Sequence, residues 1–358
     1  MSHRAWKEVD TDKLIGMMEQ NWTLEEIANK LKRTPVSVVA QMKKLGVKFD
    51  VDEIKSPAER RTKVEKEAIN FLDMNLRDGD YKNVWSSILE FQKSLDEKSI
   101  EQNIANIAIK GNKWIGVAFL GDMHIGNMAT DYKSMLHHRD LIRGSKDLYV
   151  TFNGDYCDNY LPSSHVSGMF EALFPPAVQK NLAKDYIESV RDKVLALTSG
   201  CHDIFGLKAS DFDVTEYLAK HSDAVYLGNG GLINLTVGKV TYRVMVRHKY
   251  RFHSGDNPTQ TCKKMFEKMG GFDVGVVSHN HIAAIEESTK EGMDGNLKRI
   301  FVRAGTYKTH DRYGRQLGFS EGDVGVPVVI FSPNKRDMRG FQNLNEGIDY
   351  LNYMNKGK

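Results

Sequence analysis

An α/β fold preceded by a small all-helical module is the fold class that the sequence predicts. Seven short apolar runs beyond residue 102, each bounded by Gly or polar residues and rich in β-branched side chains, have the texture of buried strands. Ahead of them, residues 11 to 48 carry three short helical patterns. Five of the runs end directly in Asp, His or Cys, the place where α/β sheets position their chemistry.

The chain of 358 residues is long enough for a sizeable core and for more than one domain. Its 41% apolar and 27% charged residues fall in the globular range. A net charge of +3 from 50 basic and 47 acidic residues means that any nucleic-acid surface must come from local clustering. The start of the chain has no apolar core of a signal peptide, and no run reaches about 18 apolar residues, which predicts neither export nor a membrane span. Three cysteines, Cys157, Cys201 and Cys262, are an odd and sparse set that fits a reducing, cytoplasmic setting better than a disulfide framework.

Four segments are expected: a helical module over 1–50, a helical connector over 51–102, the α/β domain over 103–335 and a C-terminal tail over 336–358. In the module, the second helix opens on Thr23 with Glu26 three residues later, a capping box, and carries Ile27 and Leu31. The third is capped by Thr34, starts on Pro35, repeats Val36, Val39 and Met42 or Lys43, and stops at Gly46. Leu14, Trp22, Ile27, Leu31, Val36, Val39 and Leu45 are its expected core. The connector is charge-rich helical text, with Ile69, Phe71, Leu72 and Leu76, then Val84, Ile88 and Phe91, available for packing. The strand-like runs lie at 114–120, 148–152, 194–198, 242–246, 274–277, 300–304 and 326–331.

The run ends deliver Asp122 and His124; Asp155; Cys201, His202 and Asp203; His248; and His279 and His281. In an extended segment, residues two apart point to one side, so Asp122 with His124, and His279 with His281, can each face one cluster. Imidazole and carboxylate together suit Mn, Fe, Zn or Ni, and a carboxylate such as Asp155 can bridge two ions. Any one such pair occurs by chance; five in order at strand ends point to a metal centre.

The order Asp-x-His, Gly-Asp-x-x-Asp-Asn, Gly-x-His-Asp, a later His and then His-x-His over residues 113 to 335 resembles the calcineurin-like metallophosphoesterase superfamily. The resemblance implies a β-sandwich of two mixed sheets flanked by helices, two divalent ions, with Mn ahead of Zn or Fe, and hydrolysis of phosphoesters by water. It implies that Asp122, His124 and His281 hold one ion, that Asp155 bridges, and that His248, His279 and the residue at 201 hold the other. His202 would protonate the leaving oxygen and Asp203 would orient it. The Asp that ends this motif is also seen among Mre11-like nucleases.

The chain departs from the family in two places. Cys201 stands where the family has Asn, as a thiolate ligand or as a small buried residue. "RHKYRFHSG" stands where the family often has His-Gly, so His253 competes with His248, which the strand-end position favours. Cys157 reads as packing. Asp158 and Asn159 form a turn or approach the substrate phosphate, where the family places its Asn; His137 and His138 read as surface residues of a helix. Lys308, His310 and Arg312 meet a phosphate backbone or lie in a solvated loop. The insert 159–190 forms a groove or a lid.

The N-terminal pattern resembles a helix-turn-helix with its recognition helix from Pro35 to Leu45, in which case Lys32, Arg33, Ser37, Gln41, Lys43 and Lys44 face DNA, Gln41 reading a base. Nine basic against seven acidic residues over 1–50 make its field weakly positive. Together the parts point to a metal-dependent nuclease of bacterial or phage type acting on DNA. The alternatives are a protein phosphatase or small-nucleotide phosphodiesterase, and an inactive DNA-binding regulator. A homodimer and an ATPase partner follow by analogy only.

Overall fold

A computed structural model describes residues 6, 8–19, 24–45, 85–90, 92–93, 103–161, 164, 166–252, 254, 256–292, 295–309 and 322–356. The chain divides into two compact units, Met1–Ser99 and Ile100–Lys358.

In the first unit, helices Glu8–Glu19, Leu24–Leu31 and Pro35–Lys44 close around Leu14, Met17, Ile27, Ala28, Val38 and Met42. Thr34 caps the third helix by accepting from the Ser37 amide, and Pro35 occupies its first turn, as the sequence predicts. The buried face differs from the expected one. Val38 and Met42, four apart, point inward while Val36 is 78% exposed, because the helix turns its Val38–Met42 ridge rather than its Val36–Val39 ridge to the core. Leu45 is exposed as well. Trp22, the Thr23 cap, Gly46 and most of the expected connector lie outside the described residues; 85–90 and 92–93 are helical.

The second unit is a sandwich of two six-stranded mixed sheets. One contains β2 (Ile115–Leu120), β3 (Leu148–Phe152), β4 (Val194–Leu197), β5 (Val225–Tyr226), β11 (Val328–Phe331) and β12 (Met338–Phe341), in the order β12-β11-β2-β3-β4-β5. The other contains β1 (Ile104–Ile109), β6 (Gly231–Val237), β7 (Val240–Val246), β8 (Val274–Val277), β9 (Ala284–Gly292) and β10 (Gly295–Arg303), in the order β1-β6-β7-β8-β10-β9. Strands β2 to β5 run parallel, as do β7, β8 and β10 and the edge pair β1 and β6, and antiparallel pairs complete each sheet. This is the helix-flanked sandwich of two mixed sheets that the resemblance implies.

Why β2, β3, β4, β8 and β11 read as continuous apolar runs is now plain, since both of their faces are covered. Along β2, Ile115, Val117 and Phe119 enter the core between the sheets with Tyr242, Val244, Val276, Val302 and Phe331. Alternate residues Ala118 and Leu120 face helices Tyr132–Gly144, Pro176–Glu188 and Leu344–Asn355 through Met135, Ile142, Ala183, Ile187 and Leu351. On the far side, helix Gln260–Met269 seats Cys262 and Met265 against Met245 and Phe301.

Residues 338–355, expected as a tail, form β12 and the helix Leu344–Asn355, which is tied down where Asn355 accepts from the Trp114 amide at 2.9 Å and donates to its carbonyl at 2.8 Å. Among the described residues, no helix is long and apolar enough to cross a membrane.

Candidate metal centre

The parallel strands β2, β3 and β4 of one sheet and β7 and β8 of the other bring their carboxyl ends to a common rim, and each expected ligand leaves one of those ends. The loops there are laced together by their backbones. Asp122 and His124 donate to the carbonyls of Gly154 and Asp155, each at 3.0 Å, and Ser278 donates to the His248 carbonyl at 2.9 Å. Strand pairing thus continues past the sheet and fixes where the side chains start.

How the paired ligands converge differs from the extended geometry expected of them. Asp122, His124, Asp155, His279 and His281 all have positive φ, between 47° and 75°. Non-glycine residues seldom take this conformation, at a cost of about 1 kcal/mol or more each. Left-handed kinks, rather than pleated alternation, turn each pair inward. Close packing adds to the constraint: a Cβ on Gly200 would lie 2.2 Å from the Asp155 amide nitrogen and Oδ1.

Among the described residues four overlapping groups of potential ligands result, each with its donor atoms within 4.8 Å of one another: Asp122, His124 and His281; Cys201, His248 and His279; Asp122, Asp155 and His248; and His124, Asp158 and His202. Nε2 of His124 lies 3.2 Å from Nε2 of His281, and His281 Nε2 lies 3.7 Å from Asp122 Oδ1. In the second group, Cys201 Sγ lies 3.7 Å from His279 Nδ1. Asp155 stands between the first two groups, its Oδ2 3.3 Å from His248 Nε2 and 3.9 Å from His124 Nε2. Two buried atoms in this cluster, Asp122 Oδ1 and His248 Nε2, have no hydrogen-bond partner. Orphaned buried donors and acceptors are costly in a protein interior, and here they face carboxylate, imidazole and thiol atoms that a divalent ion would satisfy. The residues fit divalent-metal coordination.

Protonation in this cluster follows burial and charge. Burial pushes His124 down to about 4 and His281 well below the usual range, which keeps both in the neutral form that binds metal. Asp122 is raised to about 7, by burial first and by the Asp155 charge. Burial would also raise Asp155, but His248, His202 and His124 together hold it well below the usual range. His248 is the reverse case: burial lowers it, and the Asp155 carboxylate overrides that and raises it well above its ordinary value. The proton on that pair is the one a cation would displace.

His202 belongs to the fourth group. Its Nδ1 donates to the Asp158 carbonyl at 2.6 Å and its amide donates to Asp155 Oδ1 at 2.7 Å. The Asp203 carboxylate does not reach the His202 ring. It accepts from the amides of Gly200 (2.7 Å), Asp155 (2.8 Å) and Tyr156 (3.2 Å), so it ties the β3 and β4 loops together, and the Asp158 carbonyl orients the imidazole in its place. Asn159 is buried and donates to the His202 carbonyl at 3.0 Å.

Asp158, which the sequence leaves between a turn and the substrate, is a hub. Its carboxylate takes His124 Nδ1 at 3.0 Å, Asn127 Nδ2 at 2.8 Å and the buried Lys308 Nζ at 3.3 Å. The one signal that could have found it is its place three residues after Asp155. Asn153, whose carbonyl takes His248 Nδ1 at 2.8 Å, had no signal at all. Cys157 is fully buried in the core, as expected. His138 is half-buried and bonded to the Tyr307 hydroxyl at 2.9 Å rather than lying free on the surface. His253, His310 and Arg312 lie outside the described residues.

In the helical unit, Lys32, Lys43 and Lys44 are exposed. The other three expected DNA contacts are engaged within the unit: Arg33 pairs with Asp10 at 3.1 Å and stacks on Trp6, Ser37 accepts from Trp6 Nε1 at 3.3 Å, and Gln41 donates to Thr11 at 3.3 Å.

No protein-family model and no curated protein matches the chain. Solved structures to which it is similar include a conserved Streptococcus pneumoniae TIGR4 protein described as a predicted phosphoesterase, at 12% identity over 65% of this chain and 100% of that one, with a TM-score of 0.31. Others are the calcineurin-like phosphoesterase YfkN of Bacillus subtilis (10%, 69% and 97%, TM-score 0.32) and the Pseudomonas putida nuclease MPE (11%, 63% and 87%, TM-score 0.29). Likeness at that level settles neither activity nor substrate.

Proposed function

We propose that the chain is a metal-dependent phosphodiesterase, and that its substrate is DNA. The observation that carries the hydrolase reading is the pair of three-residue ligand groups on either side of one buried carboxylate, Asp155. Asp122, His124 and His281 would hold one divalent ion, Cys201, His248 and His279 the other, and Asp155 would touch both. Bound there, two ions would neutralise phosphoryl oxygens and lower the pKa of an attacking water.

The protein's own groups supply the rest. The Asp158 carbonyl keeps a proton on Nδ1 of His202, so the proton that His202 gives to the departing oxygen leaves from Nε2. Asp158 holds His124 in the orientation that turns Nε2 toward Asp122 and His281. Tyr160 and Phe205 pack against the His202 ring at 4.9 and 5.1 Å between centroids and help to hold it in place.

DNA as the substrate is supported by the three-helix unit and by Lys32, Lys43 and Lys44 on its surface. With Gln41, Ser37 and Arg33 engaged internally, those lysines would supply phosphate contacts rather than base reading. The test is Mn-dependent release of nucleotides from end-labelled linear duplex DNA by the wild type and by Asp155→Ala. Cleavage by the wild type alone supports the proposal. Hydrolysis of an aryl phosphodiester without cleavage of DNA would overturn the DNA half of it.

A further inference from the structure

The two ligand groups differ in chemistry, and the difference rests on one side chain. Asp122, His124 and His281 offer one carboxylate and two imidazoles, whereas Cys201, His248 and His279 offer one sulfur and two imidazoles. The sulfur is held toward its group. The neighbours of Cys201 on both sides are tied through their amides, Gly200 to Asp203 at 2.7 Å and His202 to Asp155 at 2.7 Å, and Sγ lies 3.7 Å from His279 Nδ1. In the same group His248 is 2% exposed, and its Nε2, 3.3 Å from Asp155 Oδ2, has no hydrogen-bond partner.

With an oxygen of Asp155 added, the Cys201 group presents four donors: one sulfur, two nitrogens and one oxygen. That set suits zinc or ferrous iron, soft enough for thiolate and content with four ligands. The Asp122 group with the same Asp155 presents two oxygens and two nitrogens and no sulfur, a set that zinc, iron and manganese can all occupy. We propose that Cys201 binds its ion as a thiolate and makes its half of the centre select a zinc-type ion, a selectivity that the sulfur-free Asp122 half lacks. This rests on the dinuclear reading above and adds the selectivity of one half.

Metal binding can be read without turnover. The metal-stripped full chain is loaded with cobalt alone, and its absorption is recorded for the wild type, Cys201→Ser and Cys201→Asn, with bound metal counted by elemental analysis. The wild type is expected to bind two cobalt ions and show a near-ultraviolet thiolate-to-cobalt band that both variants lack. Given one equivalent of Zn in an excess of Mn, the wild type should retain the Zn, and Cys201→Asn should lose at least about tenfold of its preference for Zn. Two bound cobalt ions with no thiolate band in the wild type would overturn the inference and leave the dinuclear reading standing. Failure to bind any ion would overturn both.

Discussion

Replacing Asp203 separates a residue that ties loops from one that tunes the His202 imidazole. The carboxylate is 2% exposed and accepts from three backbone amides: Oδ2 takes Gly200 and Asp155, and Oδ1 takes Tyr156. An amide nitrogen left buried without an acceptor costs about 1–3 kcal/mol. Asp203→Ala strands all three and is expected to cost about 3–6 kcal/mol after allowing for partial relaxation. Asp203→Asn, with its oxygen in the Oδ2 position, keeps two bonds and loses one, and is expected to cost about 1–3 kcal/mol. Urea unfolding of both variants gives the midpoints and slopes. The pH profile of aryl phosphodiester hydrolysis by Asp203→Asn then shows whether His202 has changed, and it should keep the wild-type shape. An unchanged midpoint together with a displaced alkaline limb would refute the loop-tie account and restore Asp203 as the partner of His202.

Three further outcomes are expected. Gly200→Ala sets a methyl group 2.2 Å from the Asp155 amide and Oδ1, so equilibrium dialysis should show metal affinity reduced at least about 100-fold, two of the tenfold steps that a change beside a ligand commonly costs. Asp158→Asn weakens the hold on His124 Nδ1 and Lys308 Nζ and should lower turnover about 10–100-fold with the protein still folded by circular dichroism. Burial, and then the charge of His137, push His138 down to about 4. The unfolded chain therefore takes up that proton first, near its usual value of about 6.5. The stability this gives is fully present above pH of about 6.5 and is lost as pH falls from there to about 4, a slope that His138→Gln should flatten in thermal melts read across that range.

The sequence showed the strands that are covered on both sides, because such strands must be apolar throughout: β2, β3, β4, β7, β8, the end of β10 and β11 all fall in the apolar runs. Strands at the rims were not legible. In β9, "AIEESTKEG" pairs only with β10 at the edge of its sheet and carries the charges that edges tolerate, so it reads as loop or helix. Ile104 of β1, another edge, is 58% exposed. The closing helix was hidden by Gly347 in its first turn, a residue that packing demands, since a Cβ there would meet Val328 Cβ at 2.9 Å. The spacing marked which side chains gather at the rim, but not the left-handed backbone at Asp122, His124 and His279 that turns them inward, because Asp and His adopt it more often than most residues yet too rarely for residue type to mark a position. The hub at Asp158 was missed for a related reason: its partners Asn127 and Lys308 lie 31 and 150 residues away.

The central claim is that two ions on either side of Asp155 hydrolyse a phosphodiester. The most direct measurement is titration of Mn into the metal-stripped protein, following hydrolysis of an aryl phosphodiester against the equivalents bound. Activity should rise as the second equivalent fills, with Asp155→Ala inactive throughout. Full activity at one equivalent, or in Asp155→Ala, would contradict the account.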